Sequence, residues 1–202
     1  MNLPNKITLT RICMIPLFIT VFYLGLVTKW CYLAAAFVFL LAALTDALDG
    51  HIARSRNLVT NLGKFLDPIA DKVLVSTAFI IMLTIPDPFC VHPFGEYGLI
   101  AAGICVALIL ARELIVSGFR IIAAGRNLVL AADGLGKIKT VLQDVAVALL
   151  LVSMPFILSA DAMKTAGEII AYLGLACFAL CTVLTVVSGV NYLIKNKEVL
   201  KG

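Results

Sequence analysis

Four aspartates lie close together in a chain that is otherwise mostly apolar: Asp46, Asp49, Asp67 and Asp71. A carboxylate beside bilayer-length apolar runs is energetically costly unless a cation, a partner arginine or lysine, or a proton compensates it. Hard divalent cations such as Mg²⁺ take oxygen ligands and are often shared between carboxylates and substrate phosphates. The aspartates therefore predict a two-metal Mg²⁺ site, with Mn²⁺ as the alternative, that clamps a diphosphate and stabilises the leaving phosphate.

The spacing of these aspartates predicts two helices whose acidic faces oppose each other across a short connection. A period of 3.6 residues places one group of residues on or beside a single face of the second predicted helix: Asp46, Asp49, Gly50, Ala53 and Arg54. Residues that step by four share a face of the third: Gly63, Asp67 and Asp71. Pro68 is compatible with that helix if it begins near Asn61. The glycines leave room for a ligand or a neighbouring backbone.

The composition predicts an integral membrane protein in one domain over residues 1–202. Of these residues 62% are hydrophobic and 14% are charged, whereas about 25% of a soluble domain is charged. Apolar runs of roughly bilayer-spanning length occupy 8–27, 30–52, 65–86, 97–121, 138–159 and 166–194. We therefore predict an all-α membrane protein with six transmembrane helices. The first run lacks a small-residue cleavage site, and the residues before it predict a short N-terminal interfacial helix.

Basic residues predict the orientation of the chain, because lysine and arginine near helix ends are retained on the cytoplasmic side. With both termini cytoplasmic, all of the 16 lysines and arginines except Lys29 and Lys164 fall on the inner half. This favours a multi-pass protein of the cell (inner) membrane whose active site faces the cytoplasm. The positive charge would then meet anionic membrane lipids, and we expect no nucleic acid as a partner.

The expected depth of the charged residues in the membrane predicts that basic residues form a second half of the same site. Asp46 and Arg112 follow the aromatic residues Trp30 and Tyr97 by similar distances along their helices, which puts both roughly 22–24 Å from the outer surface. One set of charged residues falls at or just below this level: Arg112, Glu113, Arg120, Lys137 and Lys139. Ordinary topology also explains basic residues at helix ends. Lys137 and Lys139 cannot share a helix face, so one of the two would meet lipid head groups instead.

The aspartate window resembles the signature of the CDP-alcohol phosphotransferases, DxxDGxxAR followed after eight residues by GxxxDxxxD. All eight positions of the signature are present in this chain. The resemblance implies a six-helix membrane fold with a short N-terminal surface helix, usually a homodimer, which moves a phosphate-bearing group from a CDP donor to a hydroxyl and releases CMP. It implies that Asp46, Asp49 and Asp67 ligate the metals, and that Asp71 is both a ligand and the general base.

The resemblance also implies contacts to the CDP-linked lipid, from Asn5, Thr8, Gly50, Ala53, Arg54, Thr60 and Gly63. The N-terminal Lys6 and Arg11 either meet lipid phosphates as an interfacial anchor or belong to a segment that closes over the cytidine. We expect a mixture of the two.

Three further segments resemble the family members that join CDP-diacylglycerol to sn-glycerol 3-phosphate: LPNKITLTR, ARELIVSGFR and LGKIKT. By that likeness Arg112, Arg120, Lys137 and Lys139 hold the acceptor phosphate, and Glu113 orients an arginine. A sibling enzyme using inositol phosphate, serine or phosphatidylglycerol is the near alternative.

The residue pattern, taken without the family resemblance, also permits other interpretations of the aspartates and cysteines. Intramembrane carboxylates also mark cation or proton transporters, but these acids cluster near one face, and the helices show no matching Gly/Pro breaks in the two halves of the chain. Aspartates at solvated helix ends would need no function at all. The six cysteines include no CxxC pair, so we interpret them as packing residues.

Overall fold

Six α-helices make up the part of the chain that the computed structural model describes, which is residues 3–55, 61–125, 134–159 and 162–195. Side chains in the helices are described except at 3–8, 46–55, 61–71, 121–122, 124–125, 134–135 and 137. The helices are α1 Leu3–Leu24, α2 Cys31–Ser55, α3 Asn61–Met82, α4 Gly95–Gly125, α5 Gly134–Ile157 and α6 Ala162–Lys195. No strand occurs in these ranges, and the predicted all-α class is confirmed.

The helices begin and end close to the predicted breaks. The third helix begins at Asn61, as its proline required, and the predicted break around Asp87 and Pro93 separates α3 from α4. The fourth helix begins at Gly95, whose φ of 51° lies in the left-handed region that favours glycine. Turn-forming residues therefore predicted the connections well.

Length and hydropathy support a membrane environment for the bundle. Among the described residues, three helical segments are long and apolar enough to cross a bilayer: Gly95–Arg120, Ile138–Ile157 and Ala162–Lys195. The other three helices contain shorter apolar stretches: Leu9–Leu24, Cys31–Thr45 and Lys72–Met82. Large apolar side chains such as Ile104, Leu114 and Val183 are more than half exposed, and exposed apolar surface on this scale suits contact with lipid. The protein is membrane-embedded.

The N-terminal segment differs from its prediction in two ways. A separate interfacial helix was expected, but Leu3–Leu24 is one continuous helix that packs on α2 and α3. The proposed contact of Arg11 with lipid phosphate is wrong, because Arg11 is only 1% exposed. The continuous apolar packing of α1 against its neighbours carries Arg11 into the bundle, where lipid head groups cannot reach it.

The most extensive helix pair is α5 with α6, which run antiparallel. A Cβ at Gly167 would lie 2.5 Å from the backbone nitrogen of Ile157, and one at Gly174 would lie 3.0 Å from the side chain of Leu150. Small residues at such crossings let membrane helices approach closely. The two glycines therefore bring the backbone of α6 against α5 along its length.

Aromatic side chains fill the core on both sides of this pair. Phe18 of α1 packs on Phe39 of α2 with ring centroids 6.0 Å apart. Phe178 of α6 packs on Phe79 of α3 at 5.0 Å and on Phe89 of the α3–α4 connection at 6.2 Å. All five rings are at most 3% exposed. Buried aromatic pairs of this kind add packing energy at the contacts between these helices.

Polar contacts tie the connecting segments together at one end of the bundle. Lys29 donates through Nζ to Ser159 Oγ at 2.8 Å, which joins the α1–α2 turn to the end of α5. Tyr172 of α6 donates its hydroxyl hydrogen to the carbonyl of His92 in the α3–α4 connection. These turns share the end that the charge pattern predicts to be external.

Candidate functional site

Glu113 of α4 is the centre of an ionic cluster that joins three helices. Its carboxylate contacts Nζ of Lys139 on α5 directly, Nη1 of Arg112 at 3.4 Å and Nζ of Lys72 on α3 at 3.8 Å. The side chain of Glu113 is 16% exposed, and that of Lys139 is 4% exposed. We refer to Lys72, Arg112, Glu113 and Lys139 as the ionic cluster. At this burial each charge depends on the others, because an uncompensated buried ion is strongly destabilising.

Lys72 is held by α4 at two points. Its Nζ donates to Ser117 Oγ, and the same hydroxyl donates to the backbone carbonyl of Glu113 at 2.6 Å. Ser117 follows Glu113 by four residues, so both side chains lie on one face of the helix. Lys72 comes directly after Asp71 in the sequence. The ionic cluster therefore fixes α3 to α4 at the end of the aspartate window.

Arg112 extends the ionic cluster to α6. Neighbouring residues on a helix diverge by about 100°, which explains how Glu113 contacts α3 and α5 while Arg112 contacts α6. Nη2 of Arg112 donates to Ser188 Oγ at 3.0 Å, and Ser188 is fully buried. The Arg112 side chain is 13% exposed. A guanidinium that is held on both sides has a fixed plane, which suits the recognition of carboxylate or phosphate groups.

A narrow cavity of about 30 Å³ lies beside the ionic cluster, between α3, α4 and α5. Its polar lining comprises Lys72, Ser76, Glu113, Thr140 and Gln143. Gln143 is 5% exposed and lies one helical turn after Lys139 on α5. The volume is enough for about one water molecule. The cavity therefore continues the polar level toward the core and is too small to hold a substrate.

The structure brings together three of the residues predicted for the acceptor pocket: Arg112, Glu113 and Lys139. Arg120 is exposed and lies eight residues beyond Arg112 on α4, with its guanidinium carbon 6.0 Å from the ring centre of Tyr192. Cation–π contacts of this kind hold an arginine near a helix end without a carboxylate. Arg120 thus lies about 12 Å along the helix from Arg112. The predicted basic residues therefore lie at two levels along the bundle, with Arg112 and Lys139 at one level and Arg120 at another.

Sequence reasoning did not single out Lys72, Ser117 or Ser188 as site residues. Lys72 was counted only among the inner basic residues, although its position next to Asp71 was a usable signal. Ser117 lies one helical turn after Glu113, and Ser188 interrupts a long apolar run. Spacing within one helix could have suggested these residues, but their partners on other helices become visible only in the fold.

The remaining predicted residues lie where the structure describes the helix but not the side chain, or lie outside the described residues. On α2 these are Asp46, Asp49, Gly50, Ala53 and Arg54; on α3, Gly63, Asp67 and Asp71; on α1, Asn5 and Thr8; and on α5, Lys137. Thr60 lies outside the described residues altogether. The helical assignment keeps the predicted spacing of the aspartates, three apart on α2 and four apart on α3. Their roles remain predictions.

The part of the chain with described side chains holds no group of three or more histidine, cysteine, aspartate or glutamate residues that could bind a metal ion. The carboxylates with the right chemistry for Mg²⁺ are the four aspartates of the window. The predicted metal site thus depends on residues whose side chains are not described.

Comparison with known proteins agrees with the resemblance seen in the motif. The family model described as "CDP-alcohol phosphatidyltransferase" matches residues 1–187. A relative from Bacillus subtilis (strain 168), named "CDP-diacylglycerol--glycerol-3-phosphate 3-phosphatidyltransferase", is 41% identical over 99% of this chain and 97% of its own length. Relatives of the same name from Escherichia coli (strain K12) and Shigella flexneri serotype 5b are 37% identical over 95% of this chain and 93% of their own.

Proposed function

The chain belongs to the CDP-alcohol phosphatidyltransferase family, and from this membership we propose that it transfers the phosphatidyl group of CDP-diacylglycerol to sn-glycerol 3-phosphate. The products would be phosphatidylglycerophosphate and CMP. Relatives that match nearly the whole chain are named for this reaction, which places the protein in phospholipid biosynthesis. The acceptor sn-glycerol 3-phosphate carries a phosphate dianion as well as a hydroxyl, which separates this reaction from that of the serine-using sibling; the inositol phosphate sibling is separated by the acceptor panel below.

The ionic cluster is the observation that supports the acceptor. Three cationic side chains from α3, α4 and α5 surround Glu113 at one level of the bundle. Arginine and lysine donors are the groups that proteins use to bind phosphate oxygens. Serine lacks the phosphate that such a cluster would recognise. We assign the acceptor phosphate to Arg112 and Lys139, with Arg120 and Lys137 farther out on the same basic half.

The reaction needs a hydroxyl made nucleophilic and a leaving CMP. The oxygen on carbon 1 of the glycerol forms a bond to the β-phosphorus of CDP-diacylglycerol, and the bond from that phosphorus to the oxygen of CMP breaks. The hydroxyl proton passes to the carboxylate of Asp71, which acts as the general base. Arg112 and Lys139 hold the acceptor phosphate so that the hydroxyl is presented to the donor. By the family resemblance, Arg54, Gly50 and Thr60 would contact the CDP group.

Asp46, Asp49, Asp67 and Asp71 would hold two Mg²⁺ ions, which neutralise charge on the diphosphate when bound. Four carboxylates on two consecutive helices provide the oxygen ligands that this cation prefers. The helical register supports the assignment, since each pair of aspartates lies on one face of its helix. Mn²⁺ is the alternative ion.

We further propose six membrane spans in the cell (inner) membrane, with both termini and the active site on the cytoplasmic side. The ionic cluster lies away from the bundle end that carries Lys29 and the α3–α4 connection, in agreement with the charge pattern. A homodimer in contact with membrane lipids follows from the family resemblance. Reporter fusions at the C-terminus and light scattering in detergent would test the orientation and the dimer.

An acceptor panel tests the function. Purified protein in detergent, given CDP-diacylglycerol and Mg²⁺, is offered sn-glycerol 3-phosphate, inositol phosphate, serine or phosphatidylglycerol, and CMP release is measured. We expect product with sn-glycerol 3-phosphate, and its loss after chelation of divalent ions. Product with another acceptor alone would identify a sibling enzyme. No CMP release with any acceptor, combined with ion flux in vesicles, would favour a transporter.

A second measurement connects the ionic cluster to the acceptor. Arg112→Ala should raise the KM for sn-glycerol 3-phosphate by on the order of tenfold to a hundredfold, the range for losing a charge-assisted hydrogen bond, and leave the KM for CDP-diacylglycerol nearly unchanged. Lys195→Ala, which removes a cation at the exposed end of α6, is the matched control. An unchanged KM in Arg112→Ala would show that the acceptor phosphate binds elsewhere.

A further inference from the structure

Ser188 of α6 holds the guanidinium of Arg112 in one orientation. Its hydroxyl donates to the backbone carbonyl of Thr185 at 3.2 Å and accepts from Nη2 of Arg112 at 3.0 Å. A serine hydroxyl has a single hydrogen, so donation to the carbonyl turns its lone pairs outward. Ser188 is 0% exposed. The Ser188 oxygen that accepts the hydrogen bond from Arg112 is therefore itself held in place by the backbone of α6.

Gly189, the next residue, leaves room for the stem of the same arginine. A Cβ at this position would lie 2.7 Å from Cγ of Arg112, 3.5 Å from Nε and 3.7 Å from Cδ. The first distance is far below normal carbon–carbon contact. Because Cγ is near the root of the side chain, it can move away only if the first side-chain torsion changes. Such a rotation would carry the guanidinium away from both Ser188 and Glu113.

The other buried glycines of α6 have different neighbours. A Cβ at Gly167 would meet the backbone of α5, and one at Gly174 would meet the side chains of Leu149 and Leu150. Both serve the ordinary packing of two membrane helices. At Gly189 the three nearest atoms all belong to the side chain of Arg112. The absence of a side chain at Gly189 thus leaves space for one cationic side chain and not for the close approach of another helix.

We propose that Ser188 and Gly189 form a seat on α6 that sets the direction of the Arg112 guanidinium, and that they are positioning residues for the acceptor phosphate. The inference rests on the proposed function and extends it to a helix that carries none of the motif residues. The seat acts only through Arg112, since neither Ser188 nor Gly189 carries a group that could bind phosphate as strongly as a guanidinium.

The test is Gly189→Ala, assayed for both kinetic constants and for binding of sn-glycerol 3-phosphate by calorimetry. We expect the KM and the dissociation constant for this acceptor to rise by on the order of tenfold to a hundredfold, as for a small misplacement of a binding group. The KM for CDP-diacylglycerol should change by less than about threefold, because the substitution removes no proposed contact to the donor. Ser188→Ala should act in the same direction, by about threefold to tenfold for one lost hydrogen bond.

Gly174→Ala is the matched control, because it adds the same methyl group to the buried face of the same helix about 22 Å away. It should leave the KM for the acceptor unchanged even if it lowers the thermal midpoint.

A double-mutant cycle distinguishes positioning from packing. In an Arg112→Ala background the Cγ that Gly189 accommodates is absent, so Gly189→Ala should produce less than a twofold further change in acceptor affinity. An equal loss in both backgrounds would overturn the seat, as would wild-type affinity in Gly189→Ala. Wild-type protein that binds sn-glycerol 3-phosphate but forms no product would refute the proposed reaction and leave the cycle measurable by calorimetry. Absence of both binding and turnover in the wild type would refute both proposals.

Discussion

The partly buried carboxylate of Glu113 gives the sharpest test of the ionic cluster. Glu113→Gln keeps the size of the side chain and removes its charge, which leaves Lys139 as a cation whose side chain is 4% exposed. Breaking a buried ion pair costs about 3–5 kcal/mol, whereas an exposed pair contributes about 0–1 kcal/mol. The Lys72 contact, at 3.8 Å with 29% exposure of the lysine, belongs to the weaker class.

The expected loss lies between the values for exposed and for fully buried ion pairs. Glu113 is 16% exposed, and the glutamine oxygen can still accept one hydrogen bond from Lys139. We therefore expect the free energy of unfolding to fall by about 2–3 kcal/mol. Lys139→Met should lower it by about 1 kcal/mol, because the carboxylate keeps Arg112 and Lys72 and the methionine still packs in the bundle.

These free energies are measured by unfolding the protein in mixed micelles with increasing sodium dodecyl sulfate, and the unfolding is followed by far-ultraviolet circular dichroism. The single tryptophan is a second probe, since Trp30 packs edge-on against Phe156 at 6.1 Å. The double variant Glu113→Gln/Lys139→Met removes both charges and should be more stable than the sum of the single effects by about 2 kcal/mol. Simple additivity would refute the argument, because it would mean that the two charges do not depend on each other.

The remaining predictions concern the chemistry and the packing around it. Asp71→Asn should abolish CMP release while the circular dichroism spectrum stays that of the wild type; normal turnover would remove Asp71 from the mechanism. Phe178→Ala deletes a buried ring that contacts Phe79 and should lower the free energy of unfolding by about 3–5 kcal/mol, measured in the same micelle titration; a loss below 1 kcal/mol would contradict the packing. Gly167→Ala should lower the thermal midpoint by forcing α6 away from the backbone of α5, whereas Gly103→Ala, with no atom within 4 Å of the added methyl group, should not.

Much of the architecture could be predicted from the sequence because membrane helices have a strong local signal. Apolar runs of bilayer length and the turn residues between them gave six helices with nearly correct ends. The N-terminal segment was predicted less well, since a polar beginning such as NKITLTR is compatible with both a surface helix and the start of a buried one. Arg11 is buried in a helix that packs on α2 and α3, and the packing of one helix on others is not a property of its own segment.

The candidate site shows the same division. Helical periodicity grouped the aspartates and placed Arg112 and Glu113 at one level, because both are properties of single helices. It could not show that Lys139 rather than Arg112 makes the direct contact with Glu113, or that Lys72 is part of the cluster. Those pairings depend on the rotation of α3 and α5 about their own axes, which packing on other helices determines.

The cluster also explains how two halves of a site can be held in register inside lipid. Apolar packing alone is weakly specific in a membrane, because lipid tails are as apolar as the side chains they would replace. Ionic and hydrogen-bonded contacts specify a particular rotation, since a misaligned charge has no water to compensate it. Lys72 ties the helix of Asp67 and Asp71 to α4, and Arg112 ties α4 to Ser188 on α6. The ionic cluster would therefore also set the distance between an acceptor phosphate bound by Arg112 and Lys139 and the aspartates on α3, so removal of the Lys72 contact should change acceptor affinity as well as stability.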